Sequence, residues 1–256
     1  MSLLEASNLN KSFGGLQAVG DVSFTVSEGT IKALIGPNGA GKTTLFNLLT
    51  GVIPPDSGRI TFNGHEIERA KPYIVASLGM ARTFQHIRLF SGMTAIENIM
   101  VGRHTHSRSG FISGMLSLPS TRKEEKSIRE KSLEIMKFLG IEEHAGTNAA
   151  SLAYGQQRIV ELGRALACEP KLLLLDEPAA GLNMRETAEM AKLISKIRDT
   201  GITVLIVEHD MSLVMNISDE ILVLSYGQKI ADDCPLAIQK NPEVIRVYLG
   251  EDDAQA

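Results

Sequence analysis

The chain is poor in cysteine, with two, Cys168 and Cys234, among 256 residues. Two widely separated thiols exclude a disulfide framework and a four-thiolate zinc site, and they fit a reducing compartment. Long apolar runs are missing too. Leu172 to Leu175 and Ile202 to Val207 fall far short of the roughly 18–20 residues that a membrane-spanning helix needs. Met1 to Asn10 has no basic region leading into an apolar run, so no secretory signal is expected and the chain is expected to stay inside the cell. Positive charge is not in excess. Lys and Arg number 26 against 30 Asp and Glu, a net charge of −4, so no global field favours nucleic acid. A composition of 43% hydrophobic and 22% charged residues excludes disordered and low-complexity classes. The length suits one large domain or two small lobes.

The first third reads as strands. Val22, Phe24 and Val26 alternate with small polar residues, a period of two. Ile31 to Ile35 is a strand-length apolar run broken by Lys32, and it stops at the glycine-rich Gly36 to Gly41. A helix is expected from Thr43 to about Thr50, ending at Gly51. After a Pro54 to Gly58 turn, Arg59 to Phe62 resumes a strand that ends on Asn63-Gly64, a hairpin signal. Arg103 to Ser120, rich in Gly, Ser, His and Arg, reads as a functional insertion or mobile loop. Arg122 to Leu139 is expected to be a charged amphipathic helix with Ile128, Leu133, Ile135, Met136 and Leu139 inward, closed by Gly140. The last third alternates strands (Lys171–Asp176, Ile202–Glu208, Ile221–Leu224) with a helix, Met184–Thr200. Short apolar strands alternating with helices predict an α/β class with a parallel sheet covered on both faces.

Gly36-Pro37-Asn38-Gly39-Ala40-Gly41-Lys42-Thr43 fits the phosphate-loop pattern G-x-x-x-x-G-K-[ST]. Glycines let backbone N–H groups converge on phosphate oxygens, and the following helix aims its positive end at the same anion. Lys42 supplies a point charge to the terminal phosphates, and the Thr43 hydroxyl can ligate Mg²⁺. Leu172-Leu173-Leu174-Leu175-Asp176-Glu177 is a buried strand ending in carboxylates. Asp176 can hold Mg²⁺, and Glu177 can polarise a water for attack on the γ-phosphate. His209 follows a parallel strand, where ligands bind in open α/β sheets.

With these elements in view, the chain resembles the ATP-binding subunits of ABC transporters. The resemblance implies a RecA-like phosphate-loop ATPase core with an N-terminal antiparallel β subdomain and an α-helical subdomain. Residues 1–85 and 166–256 would form the core lobe and 86–165 the helical lobe. ATP and Mg²⁺ are the implied cofactors. By the same resemblance Phe13 stacks on adenine, and Thr44 joins Gly36 to Thr43 around the phosphates. Gln85, in Thr83-Phe84-Gln85, touches Mg²⁺ and the attacking water. Leu152-Ala153-Tyr154-Gly155-Gln156 matches the signature segment, which binds the γ-phosphate of ATP held by the opposite subunit. Ala180-Gly181-Leu182-Asn183 matches the loop that crosses the dimer interface, and His209 the switch histidine at the γ-phosphate. Two departures stand out. Ala153 replaces the signature serine, removing a hydroxyl, and Asn183 stands where aspartate is usual. Both are expected to weaken ATP clamping without abolishing it.

Four stretches are similar to the LivG type, which powers branched-chain amino-acid import: Phe84 to Phe90, the insertion after Gly102, Pro178 to Asn183, and Asn241 to Gly250. That similarity implies integral-membrane subunits as partners, docking near His86, Arg88, Leu89 and Phe90. It also implies a LivF-like second ATPase or a second copy of this chain, an external binding protein only indirectly, and a peripheral place on the cytoplasmic face of the membrane. Another ABC transporter ATPase, such as a lipid-type exporter's, or a soluble non-transport ABC ATPase are the alternatives. His104 and His106 lack a clustered carboxylate or thiol and read as a surface loop. Met211 and Met215 read as core. The interleaved charges of 122–131 read as a solvated helix face, as do Asp232, Asp233 and the acids of 251–253 as solvated groups.

Overall fold

The computed structural model describes residues 2–103 and 119–249. Most of the 103–120 insertion, with His104 and His106, and the acids of 251–253 lie outside them. The chain divides into two compact units, Met1–Arg82 with Lys171–Ala256, and Thr83–Pro170.

The first unit holds two sheets. One is antiparallel, with β1 (Ser2–Phe13), β2 (Leu16–Ser27), β4 (Ser57–Phe62) and β5 (His65–Glu66) in the order β2-β1-β4-β5. The other contains β3 (Ile31–Ile35), β6 (Met80–Arg82), β7 (Leu172–Asp176), β8 (Thr203–Val207), β9 (Glu220–Ser225) and β10 (Gln228–Asp233), in the order β10-β9-β3-β8-β7-β6. All neighbours in this sheet run parallel except β10, which pairs antiparallel with β9 at the edge. The helix α1 (Lys42–Leu49) brings Leu45, Phe46, Leu48 and Leu49 into one core with Val22, Phe24 and Val26 of β2 and Leu34, Leu174, Leu205 and Leu222 of the parallel sheet. Residues of the opposite sheet face, such as Ala33, Leu173, Ile206 and Val223, are equally buried. Further helices of this unit are α2 (Pro72–Ser77), α6 (Met184–Asp199), α7 (Met211–Ile217), α8 (Pro235–Lys240) and α9 (Pro242–Leu249). Burial on both faces is what the continuous apolar strands predict. In α7 the buried residues are Leu213, Val214 and Ile217, whereas Met211 and Met215 are half-buried, so the methionines border the core.

Lys32, which breaks the β3 pattern, is only 1% exposed. Its ammonium spans β9 to β10, 3.0 Å from Glu220 Oε2 and 2.6 Å from Asp232 Oδ1. Asp232 is therefore a half-buried partner of a buried ammonium, which it shares with Glu220, and not the freely solvated acid that its sequence context suggests. Burying an ammonium is tolerable only when such partners surround it. Asp232→Asn keeps the shape and leaves Glu220 as the remaining anion of the pair. Its stability in urea should fall by about 1.5–3 kcal/mol, the range for a hydrogen bond to a charged group. An unchanged midpoint would show the pair to be energetically idle.

The second unit is helical, with α3 (Ala95–Arg103), α4 (Pro119–Leu139) and α5 (Tyr154–Leu166). Ile96, Ile99, Met136, Leu139, Val160 and Leu162 are buried. Gly102 permits a close crossing, because a Cβ there would lie 2.1 Å from the Arg164 carbonyl oxygen. Arg103 Nη1 pairs with Glu169. Along α4, Lys126 and Glu130 form an exposed i,i+4 pair at 3.8 Å, the solvated face that the alternating charges predict.

Candidate functional site

β3 runs into the loop Gly36 to Gly41, and α1 starts there. Gly36 and Gly41 adopt φ of 150° and 99°. A Cβ on Gly36 would sit 2.1 Å from the Leu224 carbonyl oxygen, so only glycine lets β3 turn this sharply beside β9. The loop is held from outside: Gly227 N–H donates to the Ala40 carbonyl at 3.1 Å and Gly20 N–H to the Gly227 carbonyl at 2.8 Å. Pro37 is partly buried, Asn38 and Gly39 are exposed and Ala40 is buried. Gly41 caps α1 and has no side chain to accept from the first-turn N–H groups. That is a helix N-terminus suited to an anion. The Lys42 ammonium bends over the loop, donating to the Gly36 and Pro37 carbonyls at 2.6 and 3.0 Å. Burial pushes its pKa down, and the nearby Glu177 and Asp176 carboxylates oppose that shift. Thr43 is exposed and Thr44 half-buried on α1.

β7 and β8 pair in register to their ends, Asp176 opposite Val207. The Asp176 carboxylate accepts from Arg82 Nη2 at 2.8 Å, and Arg82 Nη1 donates to Asn47 Oδ1 on α1 at 2.7 Å. The arginine thus joins the carboxylate to the phosphate-loop helix. Glu177 leaves the strand in the left-handed region, φ 49°, its N–H bonded to the Val207 carbonyl at 2.9 Å. That conformation is uncommon and costly for a residue with a Cβ. His209 Nδ1 lies 3.9 Å from Glu177 Oε2 and 3.8 Å from Glu208 Oε2. Phe13 closes β1, half exposed, with Lys11 Nζ 5.6 Å from its ring centre. Two oxygen donors, the Thr43 hydroxyl and the Asp176 carboxylate, beside an anion cradle suit Mg²⁺, which takes few protein ligands and relies on phosphate oxygens.

Asn183 starts α6. Its side chain accepts from the N–H groups of Arg185 and Glu186 at 3.0 and 3.1 Å, and Glu186 Oε2 accepts the Asn183 N–H at 2.9 Å, a complete capping box.

In the helical unit, Gln85 is exposed, and its carbonyl accepts from Arg158 Nη2 at 2.7 Å. Arg158 also donates to the Phe84 carbonyl at 3.1 Å and to the Tyr154 hydroxyl at 3.1 Å. One buried arginine of α5 therefore joins the Gln85 segment to Tyr154 at the start of that helix. Its neighbour Glu161 is pushed up by burial, opposed by the Arg88 N–H, Arg164 and Arg158. Ala153 occupies the start of α5, followed by Tyr154, Gly155 and Gln156. Gln156 Oε1 accepts the Ala153 N–H at 3.1 Å, and Ala153 has no oxygen to return the bond. Arg88 lies over the Phe84 ring, 4.9 Å from its centre, and Phe90 is half exposed.

Sequence reasoning missed Arg82, Arg158 and Glu208. Each is a charge inside or beside an apolar segment that packing would not require, and that is the signal available for it.

Two family models match the chain. ABC transporter covers residues 19–180, more than half of it, and Branched-chain amino acid ATP-binding cassette transporter covers 228–254. The high-affinity branched-chain amino acid transport ATP-binding protein BraF of Pseudomonas aeruginosa is 46% identical over 97% of this chain and 98% of its own length. LivG of Escherichia coli, of the same description, is 45% identical over the same shares. A nucleotide-free ATP-binding cassette from an ABC transporter superposes with a TM-score of 0.85 at 34% identity, covering 98% of this chain and 100% of that one. The ADP conformation of the cassette MJ1267 gives 0.85 at 33% identity with the same coverage. Agreement of this extent, in sequence and in backbone, makes the chain a member of the ABC transporter family, an ATP-binding and ATP-hydrolysing subunit of such a transporter.

Proposed function

We propose that the chain energises import of branched-chain amino acids. The observation that carries this is the match of 228–254 to the branched-chain amino acid cassette model, supported by the near full-length identity to BraF and LivG. Gly36 to Thr44 bind the ATP phosphates and Phe13 stacks on the adenine. Thr43, Asp176 and Gln85 hold Mg²⁺, which when bound neutralises phosphate charge. Glu177 takes the proton of the attacking water, and His209 contacts the γ-phosphate. Ala153, Tyr154, Gly155 and Gln156 serve ATP on the opposite subunit, and the Ala180 to Asn183 loop crosses the dimer interface. Because Ala153 lacks the serine hydroxyl, a homodimer would lack it at both sites. The working pair is therefore this chain with a LivF-like subunit on two integral-membrane subunits, at the cytoplasmic face. Residues 86–165 act as the helical lobe that receives the membrane subunits near Arg88 and Phe90, and the external binding protein acts only through them.

The test is the assembled transporter in proteoliposomes with its binding protein. Leucine, isoleucine or valine should stimulate ATP hydrolysis and accumulate inside, whereas a lipid-type cargo should do neither. Stimulation by another solute alone would refute the substrate class and leave the ATPase intact.

A further inference from the structure

β8 ends at Val207, and the next side chain, the Glu208 carboxylate, is completely buried. Its Oε1 accepts the Ala179 N–H at 2.9 Å, and its Oε2 accepts the N–H groups of His209 at 3.0 Å and Asp210 at 3.3 Å. Three backbone donors satisfy both oxygens and offset the cost of burying the group. The helix that follows does not need this group, because Asp210 Oδ1 already accepts the N–H groups of Ser212 and Leu213 at 2.9 and 3.1 Å. What Glu208 adds is a link between two segments distant in sequence. One oxygen grips the residue that leads into Ala180 to Asn183, and the other grips the backbone of His209, whose ring stands beside Glu177.

We propose that Glu208 is a positioning residue that couples the Ala180 to Asn183 loop to His209, so that docking of a second subunit on the loop sets the imidazole against the γ-phosphate. The inference rests on the reading of His209 and of that loop given under Proposed function. A buried side chain shared by both segments transmits displacement directly, since a shift of Ala179 must either break the 2.9 Å hydrogen bond or carry Glu208 with it.

The experiment uses the assembled transporter with Glu208→Gln, Glu208→Asp, His209→Ala and the Glu208→Gln/His209→Ala double variant. Glu208→Gln turns an amide donor toward backbone N–H groups, and Glu208→Asp keeps the charge but shortens the reach. For both single Glu208 variants we expect kcat to fall roughly 10–100-fold, the scale of a small misplacement at a reacting centre, with ATP affinity within about twofold of normal. The double variant should be no slower than His209→Ala, because the two residues act as one unit. Normal kcat in Glu208→Gln beside an inactive His209→Ala would overturn the coupling and leave the role of His209 standing. A normal His209→Ala would overturn the role of His209 and the coupling with it. Additive losses in the double variant, a parallel loss of ATP affinity, or failure of both Glu208 variants to fold would mark Glu208 as a structural cap and overturn the proposal.

Discussion

Glu177→Gln should bind ATP normally and hydrolyse it roughly 10²–10⁴-fold more slowly, the range for loss of a general base. The substitution keeps length and shape, so the left-handed turn at φ 49° and the N–H bond to the Val207 carbonyl should persist. What is lost is the capacity to take a proton, together with one negative charge near Lys42. Glu177 is one residue past Asp176, and its Oε2 lies 3.9 Å from His209 Nδ1, between the residues proposed to hold Mg²⁺ and to contact the γ-phosphate. Phosphate release and nucleotide titration on the same preparation separate the two effects, and ATP-bound dimers should outlast those of the unaltered chain. A variant retaining half or more of the rate would remove Glu177 from the mechanism.

Lys42→Ala should weaken ATP binding at least about 10-fold, as expected for losing a bond to a charged group worth ~1.5–3 kcal/mol. The ammonium now lies 2.6 and 3.0 Å from the Gly36 and Pro37 carbonyls, turned over the loop whose glycines frame the anion cradle. The backbone N–H groups supply dipoles there but no net charge. Lys42→Arg should rescue only partly, because a planar fork cannot occupy the space of a compact ammonium held by two carbonyls. Calorimetric titration with ATP measures both variants. Normal binding and hydrolysis by Lys42→Ala would mean that the phosphate loop is not the active site.

The parts of the fold legible in the sequence were those in which burial wrote an uninterrupted pattern. β7, β8 and the alternating β2 residues were of this kind, and so was the Asn63-Gly64 turn, where φ of 49° and 78° required that dipeptide chemistry. The places of the proposed phosphate loop, Asp176, Glu177 and His209 at or just after strand ends were readable because strand ends and glycine spacing are local. β1 escaped because its register shifts between Ala6 and Leu9 and again near Lys11, which breaks a period of two. β6 has three residues, too few for periodicity. The charged partners escaped for another reason. Lys32 with Asp232, Arg82 with Asp176 and Glu208 with Ala179 are joined across 200, 94 and 29 positions, and only the topology brings them together. Asp232 shows the consequence: among polar neighbours on an edge strand it looked solvated, and the ammonium it pairs with lies in another third of the chain.

The two helices that begin at the segments proposed to face a second subunit start differently. At α6 the Asn183 and Glu186 side chains close the first turn from within. At α5 the Ala153 methyl leaves that turn with one reciprocal bond only. The first turn of α6 should accordingly exchange its amide hydrogens slowly at all times. That of α5 should fray and exchange quickly until an anion supplies the missing acceptor. Nucleotide brought by the opposite subunit would then complete a turn of helix as well as a contact, and part of its binding energy would be spent on ordering the segment that receives it.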